Sequence, residues 1–226
     1  EYLQGKTRYV SIQLGIGGLQ PFPASMVEET GYGDCKALSN FMVALLKEAG
    51  VKGYYTTVSA GADDYFIDTD FPSHQSNHVI VSVPNGADTL WLECTSQSSP
   101  FNYQGRFTGD RKALTITEEG GKLVNTHRYS ADQNTQTRTA DVYVDLNGDA
   151  TAKVKTTYAG TRYEKAGLSF ILDNKYDEQK KWVQENTEIP SFDLQSFTMI
   201  NHKDEIPSAV VNLDLVLRRY AVANGK

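Results

Sequence analysis

The chain has 226 residues, with 22 Lys and Arg against 28 Asp and Glu, for a formal net charge of −6. Hydrophobic residues make up 39% and aromatics 11%, with Tyr the commonest aromatic at 13 copies; this excludes a disordered chain and a coiled coil and allows one or two proper cores. No apolar run approaches the ~20 residues of a membrane span, and the acidic balance argues against binding a phosphate backbone, so bilayer and nucleic acid both recede as partners.

Glu1 to Arg8 is polar and lacks the charged start, apolar stretch and cleavage site of a signal peptide, and a start without Met reads as a cut edge. Tyr9 to Leu14 reads as a strand, followed by the loop Gly15-Ile16-Gly17-Gly18. That loop is not a dinucleotide cradle. A helix would have to follow at once to offer its N–H groups to a pyrophosphate, and Leu19-Gln20-Pro21-Phe22-Pro23 intervenes, so a flexible turn is expected. Pro23 suits a first helical position and Gly31 a helix end, which predicts a short helix over Ala24 to Thr30. The stronger helix starts at Asp34, a good N-cap. Leu38, Phe41, Met42, Leu45, Leu46 and Ala49 then recur at spacings of three and four until Gly50 closes it.

Strands are predicted at Val51 to Ala60, His78 to Val83 and Thr89 to Thr95, the last two forming one hairpin. After about residue 126 the texture changes to long alternating strands with one polar helical stretch. Ala140, Val142, Val144 and Leu146 alternate with polar residues, Asn147-Gly148-Asp149 makes a turn, and Ala150, Ala152 and Val154 continue the alternation as a second hairpin. Tyr176 to Thr187 reads as a charged surface helix, and Ala209, Val211, Leu213, Leu215 and Leu217 as a long final strand. A β-sandwich fits this half but is short of strands, and the end at Ala223-Asn224-Gly225-Lys226, right after a strand, reads as lacking neighbours.

Chemistry is concentrated at Cys35, which follows the Asp34 cap as the first residue of the amphipathic helix. A helix N-terminus favours negative charge, so the position suits a nucleophilic thiolate. Buried, the same residue would be a small apolar filler. His78 strengthens the chemical reading, against that of an ordinary polar pair with Glu93 on a sheet's outer face. A four-residue loop, Pro84-Asn85-Gly86-Ala87, would pair Val83 with Asp88 and set His78 directly opposite Glu93. Opposed Cβ atoms lie about 4.5–5.5 Å apart, close enough for a carboxylate to accept an imidazole N–H and fix the tautomer. Val79, Val81, Leu90 and Leu92 would then share the other, core-facing side, and a base with its orienting partner would need only the nucleophile that Cys35 supplies.

Thr7-Arg8-Tyr9-Val10-Ser11-Ile12, Leu19-Gln20-Pro21, Tyr32-Gly33-Asp34-Cys35-Lys36, Asn77-His78-Val79-Ile80-Val81 and Trp91-Leu92-Glu93-Cys94-Thr95 occur in an order that resembles the transglutaminase-like (papain-like cysteine) superfamily. The resemblance is to its bacterial multidomain branch, in which β-sandwiches of unknown function flank this domain. It covers residues 1 to about 126; residues 127–226 resemble only the start of the β-rich domain that follows. It implies an α+β fold in which a helix carrying the cysteine packs on an antiparallel sheet, followed by a partial, truncated β-sandwich. It implies Cys35 as nucleophile, His78 as base and Glu93 as the third member of a triad, with Gln20 or backbone N–H groups stabilising an oxyanion. Two departures stand out: the family usually has Asp-Pro where this chain has Glu93-Cys94, and commonly Asp-Lys where it has Ala37-Leu38.

The expected function is thiol-dependent acyl transfer on peptide or glutamine amides, by a protease, amidase or cross-linking enzyme that needs no cofactor. The rival is a catalytically silent binding or scaffold module of a larger bacterial envelope protein. An extracytoplasmic setting is implied by the resemblance alone. His74 and His78 are four apart, but His74 lies in a loop-like stretch and the two cysteines lack ligand spacing, so no metal site is expected. Cys94 should be buried and unpaired with Cys35, and the Tyr54-Tyr55 and Tyr65-Phe66 patches read as packing residues.

Overall fold

In a computed structural model, which describes residues 1–61 and 67–222, the chain divides into two units, Glu1–Arg128 and from Tyr129 onward. Tyr65-Phe66 and the last four residues lie outside the described residues.

The first unit opens with a helix where only polar sequence was evident, α1 (Tyr2–Lys6). Leu3 is buried, and Gln4 Nε2 donates to the carbonyls of Ser96 (3.2 Å) and Ser99 (3.0 Å). The strand expected from Tyr9 to Leu14 shrinks to β1 (Arg8–Tyr9), which runs parallel to β2 (Tyr32–Gly33). Pairing ends there because β2 turns at Asp34 into a helix and offers no further edge. Gly15–Gly18 forms a short 3₁₀ turn, and α2 (Ala24–Thr30) follows Pro23, which sits at its N-cap position without a capping bond, and is ended by Gly31 at φ +69°. The main helix, α3 (Cys35–Glu48), starts on the Asp34 cap, whose Oδ1 accepts from Ala37 N at 3.0 Å. Gly33 is required just before it, since a Cβ there would lie 2.9 Å from the Ala37 Cβ.

A five-stranded antiparallel sheet follows in the order β5-β4-β3-β6-β7. Its strands are β3 (Tyr54–Val58), β4 (His78–Asn85), β5 (Asp88–Leu92), β6 (Lys112–Thr117) and β7 (Gly120–Asn125), with a one-turn helix α4 (Gly105–Thr108) before β6. Both faces of its centre are buried. On one, Val81, Val83, Leu90 and Leu92 pack with Leu38, Phe41, Leu45 and Leu46 of α3. On the other, Val58, Ile80, Trp91 and Ala113 form a second cluster, continued by hydrogen bonds linking Thr56, Ser82 and Thr115. The β6–β7 hairpin escapes sequence reading because Gly120-Gly121 breaks the alternation.

The second unit is a four-stranded antiparallel sheet in the order β10-β11-β9-β8: β8 (Gln136–Val144), β9 (Ala150–Ala159), β10 (Asp193–His202) and β11 (Ser208–Leu217). Two helices, α5 (Leu168–Ile171) and α6 (Tyr176–Asn186), join β9 to β10. The partial β-sandwich is corrected: among the described residues this unit has one sheet. Ala150, Ala152, Leu215 and Leu217 pack instead with Ile189 and Phe192, and α6, expected on the surface, buries Trp182 and Val183. The opposite face carries Thr139, Asp141, Lys153, Lys155, Asn212 and Asp214, side chains that suit water better than a second sheet. Because the Arg128 side chain at the junction is 80% exposed, trypsin should cut first at or just after it and leave the first unit intact; a first cut within β3 to β7 would show that this unit does not hold together alone.

Candidate active site

Cys35 occupies the first position of α3, and the whole first turn of that helix is buried. The first N–H groups of any helix lack an intrahelical carbonyl, which gives this end partial positive character. Asp34 uses one carboxylate oxygen to cap Ala37, and the other accepts from the Lys36 ammonium.

His78 opens β4 opposite Val58 of β3. The preceding residue pins that entry, because Asn77 Oδ1 accepts from Ala60 N (2.6 Å) and Asn77 Nδ2 donates to Ala60 O (2.9 Å). His78 Nε2 lies 2.9 Å from Glu93 Oε2, while Glu93 Oε1 accepts from Thr95 N (2.8 Å) and Thr95 Oγ1 (2.5 Å). With Nε2 committed to Glu93, Nδ1 is the ring nitrogen left for the Cys35 thiol, which lies close enough to His78 to act on its proton affinity. Burial opposes charge on the imidazole, but hydrogen bonds and negative charge from Cys35 and Glu93 outweigh it and lift the His78 pKa from 6.5 to about 9. Burial likewise opposes charge on Glu93. Its bonds to His78 and Thr95 prevail and hold the carboxyl below its ordinary range.

The expected hairpin register is corrected. The observed partners are Asn85↔Asp88, Val83↔Leu90 and Val81↔Leu92, and the ladder stops there. Gly86 takes φ +63°, which allows a two-residue turn and draws Pro84 and Asn85 into the strand. Continued, this register would set Thr95 opposite His78, leaving Glu93 on the diagonal. The slip is by two residues, so Glu93 stays on the His78 side of the sheet. That side is also not solvent, since Ile80 and Trp91 on it are buried.

Three neighbours were not legible as site residues. Phe107 of α4 packs edge-on against the imidazole, with ring centroids 5.0 Å apart and planes at 61°, yet remains 47% exposed. Its carbonyl accepts from Gly61 N at 2.9 Å, tying α4 to the chain leaving β3. Tyr55 of β3 is half-buried; burial, and then the charges of Cys35 and Asp34, push its phenol pKa up. Thr95, quoted in the sequence only as part of a motif, is the clamp on Glu93. Gln20, expected as an oxyanion donor, is exposed at the end of the 3₁₀ turn, where its backbone N–H donates to Ile16 O (2.8 Å), and it stands outside the hydrogen-bonded set around His78. Cys94 is buried, and burial together with the Glu93 charge pushes its thiol up to about 12. Both cysteines are free. His74 is exposed while His78 is buried, and among the described residues no three His, Cys, Asp or Glu side chains are grouped to hold a metal ion. No helix among these residues is long and apolar enough to cross a membrane.

No family model matches the chain, and no curated protein matches it. Among solved structures it is similar to that of a candidate protease from Parabacteroides distasonis, with a TM-score of 0.44 and 11% identity over 95% of this chain and 44% of that one. The chain thus spans less than half the length of that protein.

Proposed function

We propose that the first unit is a transglutaminase-like cysteine domain that transfers acyl groups from peptide or glutamine amides. The observation that supports this most directly is the buried His78–Glu93 hydrogen bond with its Thr95 clamp, within electrostatic reach of Cys35 at the start of α3. Cys35 Sγ attacks the amide carbonyl carbon as His78 takes the thiol proton. The C–N bond then breaks, His78 passes that proton to the departing amine, and a thioester is left on Cys35 for water or a second amine to open. Glu93 holds His78 in the tautomer that faces the thiol and stabilises the imidazolium. The family resemblance also supports an extracytoplasmic setting within a larger protein.

The test is release of ammonia or amine from peptide and glutamine amides by the wild-type chain, abolished in Cys35→Ala. Absence of release, with Cys35 reacting as an ordinary thiol, would favour the silent binding module. In the folded protein iodoacetamide should modify Cys35 at pH 7 faster than Cys94 by about two orders of magnitude or more, since a buried thiol pushed toward pKa 12 supplies almost no thiolate. Mass spectrometry of the two cysteine peptides over time reads the ratio, and equal rates would remove the case for an activated Cys35.

A further inference from the structure

The residues on either side of Cys35 form an ion pair buried where a helix disfavours a cation. Asp34 is 2% and Lys36 8% exposed, and the Lys36 ammonium donates to the carboxylate oxygen that the helix cap leaves over. An anion suits a helix N-terminus, whereas an ammonium on its first turn opposes the macrodipole and is costly to bury. Local preference therefore does not explain Lys36, and residues that break a local rule cluster at functional sites. The pair flanks Cys35 in sequence, and the charges of both Cys35 and Asp34 act on the Tyr55 phenol, so the two share one electrostatic neighbourhood.

We propose that Asp34 and Lys36 form an electrostatic bracket that sets the pH at which Cys35 becomes nucleophilic: Lys36 cancels the cap's negative charge at the thiol, so that His78 can draw off its proton. The other ionisable groups within electrostatic reach of the thiol are Tyr55 from β3 and His78 from β4, with Glu93 bonded to His78. Lys36, buried and paired with Asp34, acts here as a positioning and tuning residue through Cys35. The inference deepens the acyl-transfer reading, on which its value to catalysis rests, but its physical content is testable without a substrate.

The experiment is the rate of iodoacetamide alkylation of Cys35 against pH in the full chain. Lys36→Met leaves the Asp34 anion uncompensated and should move the midpoint to higher pH by about one unit; Asp34→Asn keeps a helix cap, leaves the Lys36 cation uncompensated, and should move it lower by about as much. The double variant should return near the wild-type midpoint, and Lys36→Arg should stay there. If Lys36→Met does not fold, Asp34→Asn and the double variant still decide the matter. Shifts in the same direction, or none, would overturn the bracket, because a purely structural role gives no opposed pair. His78→Gln separates the two readings. A profile that ignores His78 but answers to Asp34 and Lys36 would leave the bracket standing and remove the acyl-transfer reading, and the reverse pattern would remove only the bracket.

Discussion

Replacing Glu93 by Gln should lower Cys35-dependent turnover by about 10²–10⁴-fold, and replacing it by Asp should cost nearly as much. Glu93 accepts at both ends, from Thr95 N and Oγ1 at Oε1 and from His78 at Oε2. An amide has one accepting end. With its oxygen kept on Thr95, Gln would turn its NH₂ toward Nε2, which would then have to accept, moving the imidazole proton to Nδ1 and leaving nothing to take the thiol proton. Asp fails for a different reason. Directly opposed residues on two strands are about 4.5–5.5 Å apart at Cβ, but diagonal neighbours are about 7–8 Å apart, and the observed register, continued one residue past Leu92, would put Glu93 on the diagonal from His78. The extra methylene is what spans that gap. Release of amine from peptide and glutamine amides, with thermal melting as a check on folding, measures both variants. An Asp variant as fast as wild type would mean that the directly opposed geometry forms after all.

The stability of the domain should carry a His78 signature on the alkaline side. A folded pKa of about 9 against 6.5 means that the folded state binds this proton more tightly. The stabilisation is therefore fully present below about pH 6.5 and is lost as pH rises through about 9, and its full size is about 3 kcal/mol at ~1.4 kcal/mol per unit. Urea unfolding of wild type and His78→Gln at intervals from pH 6 to 10 should show the two curves converging by that amount. In a Cys35→Ser background the convergence should shrink without vanishing, because Cys35 and Glu93 both contribute to the shift. A gap between the curves that does not change with pH would mean that His78 binds its proton equally well in the folded and unfolded chain, with no upward shift. On the acid side Glu93 works with the opposite sign. Its folded pKa is lowered, so its contribution is present above the ordinary carboxyl range and fades as pH falls through it.

What the sequence determined by itself was whatever local physics sets. Asp34 as cap, the three-and-four spacing behind it and Gly31 as a left-handed stop place Cys35 at a helix start, and the structure has α2 and α3 where those signals lie. The side of the sheet shared by His78 and Glu93 was also legible, because strand periodicity is two and the register error was two. The turn itself was not, since a glycine at positive φ can make a two-residue connection that composition does not distinguish from a four-residue loop. The charged stretch at Tyr176 hid Trp182 and Val183, which are buried, and Ile189 and Phe192 after that helix pack on the sheet where strand alternation alone had suggested a sandwich partner.

Only the tertiary structure decided the surroundings of the thiol. Phe107 comes from a one-turn helix 29 residues beyond His78, and Tyr55 of β3 comes within electrostatic reach of Cys35. The cluster on the face away from α3 draws Ala113 and Val124 from a β6–β7 hairpin with little sequence signal. Nothing within a few residues of Cys35 encodes these neighbours. They are brought together by strand pairing and helix packing across long sequence separations, and the same packing removes water from His78 and Glu93 and so gives their hydrogen bonds the strength that shifts both pKa values.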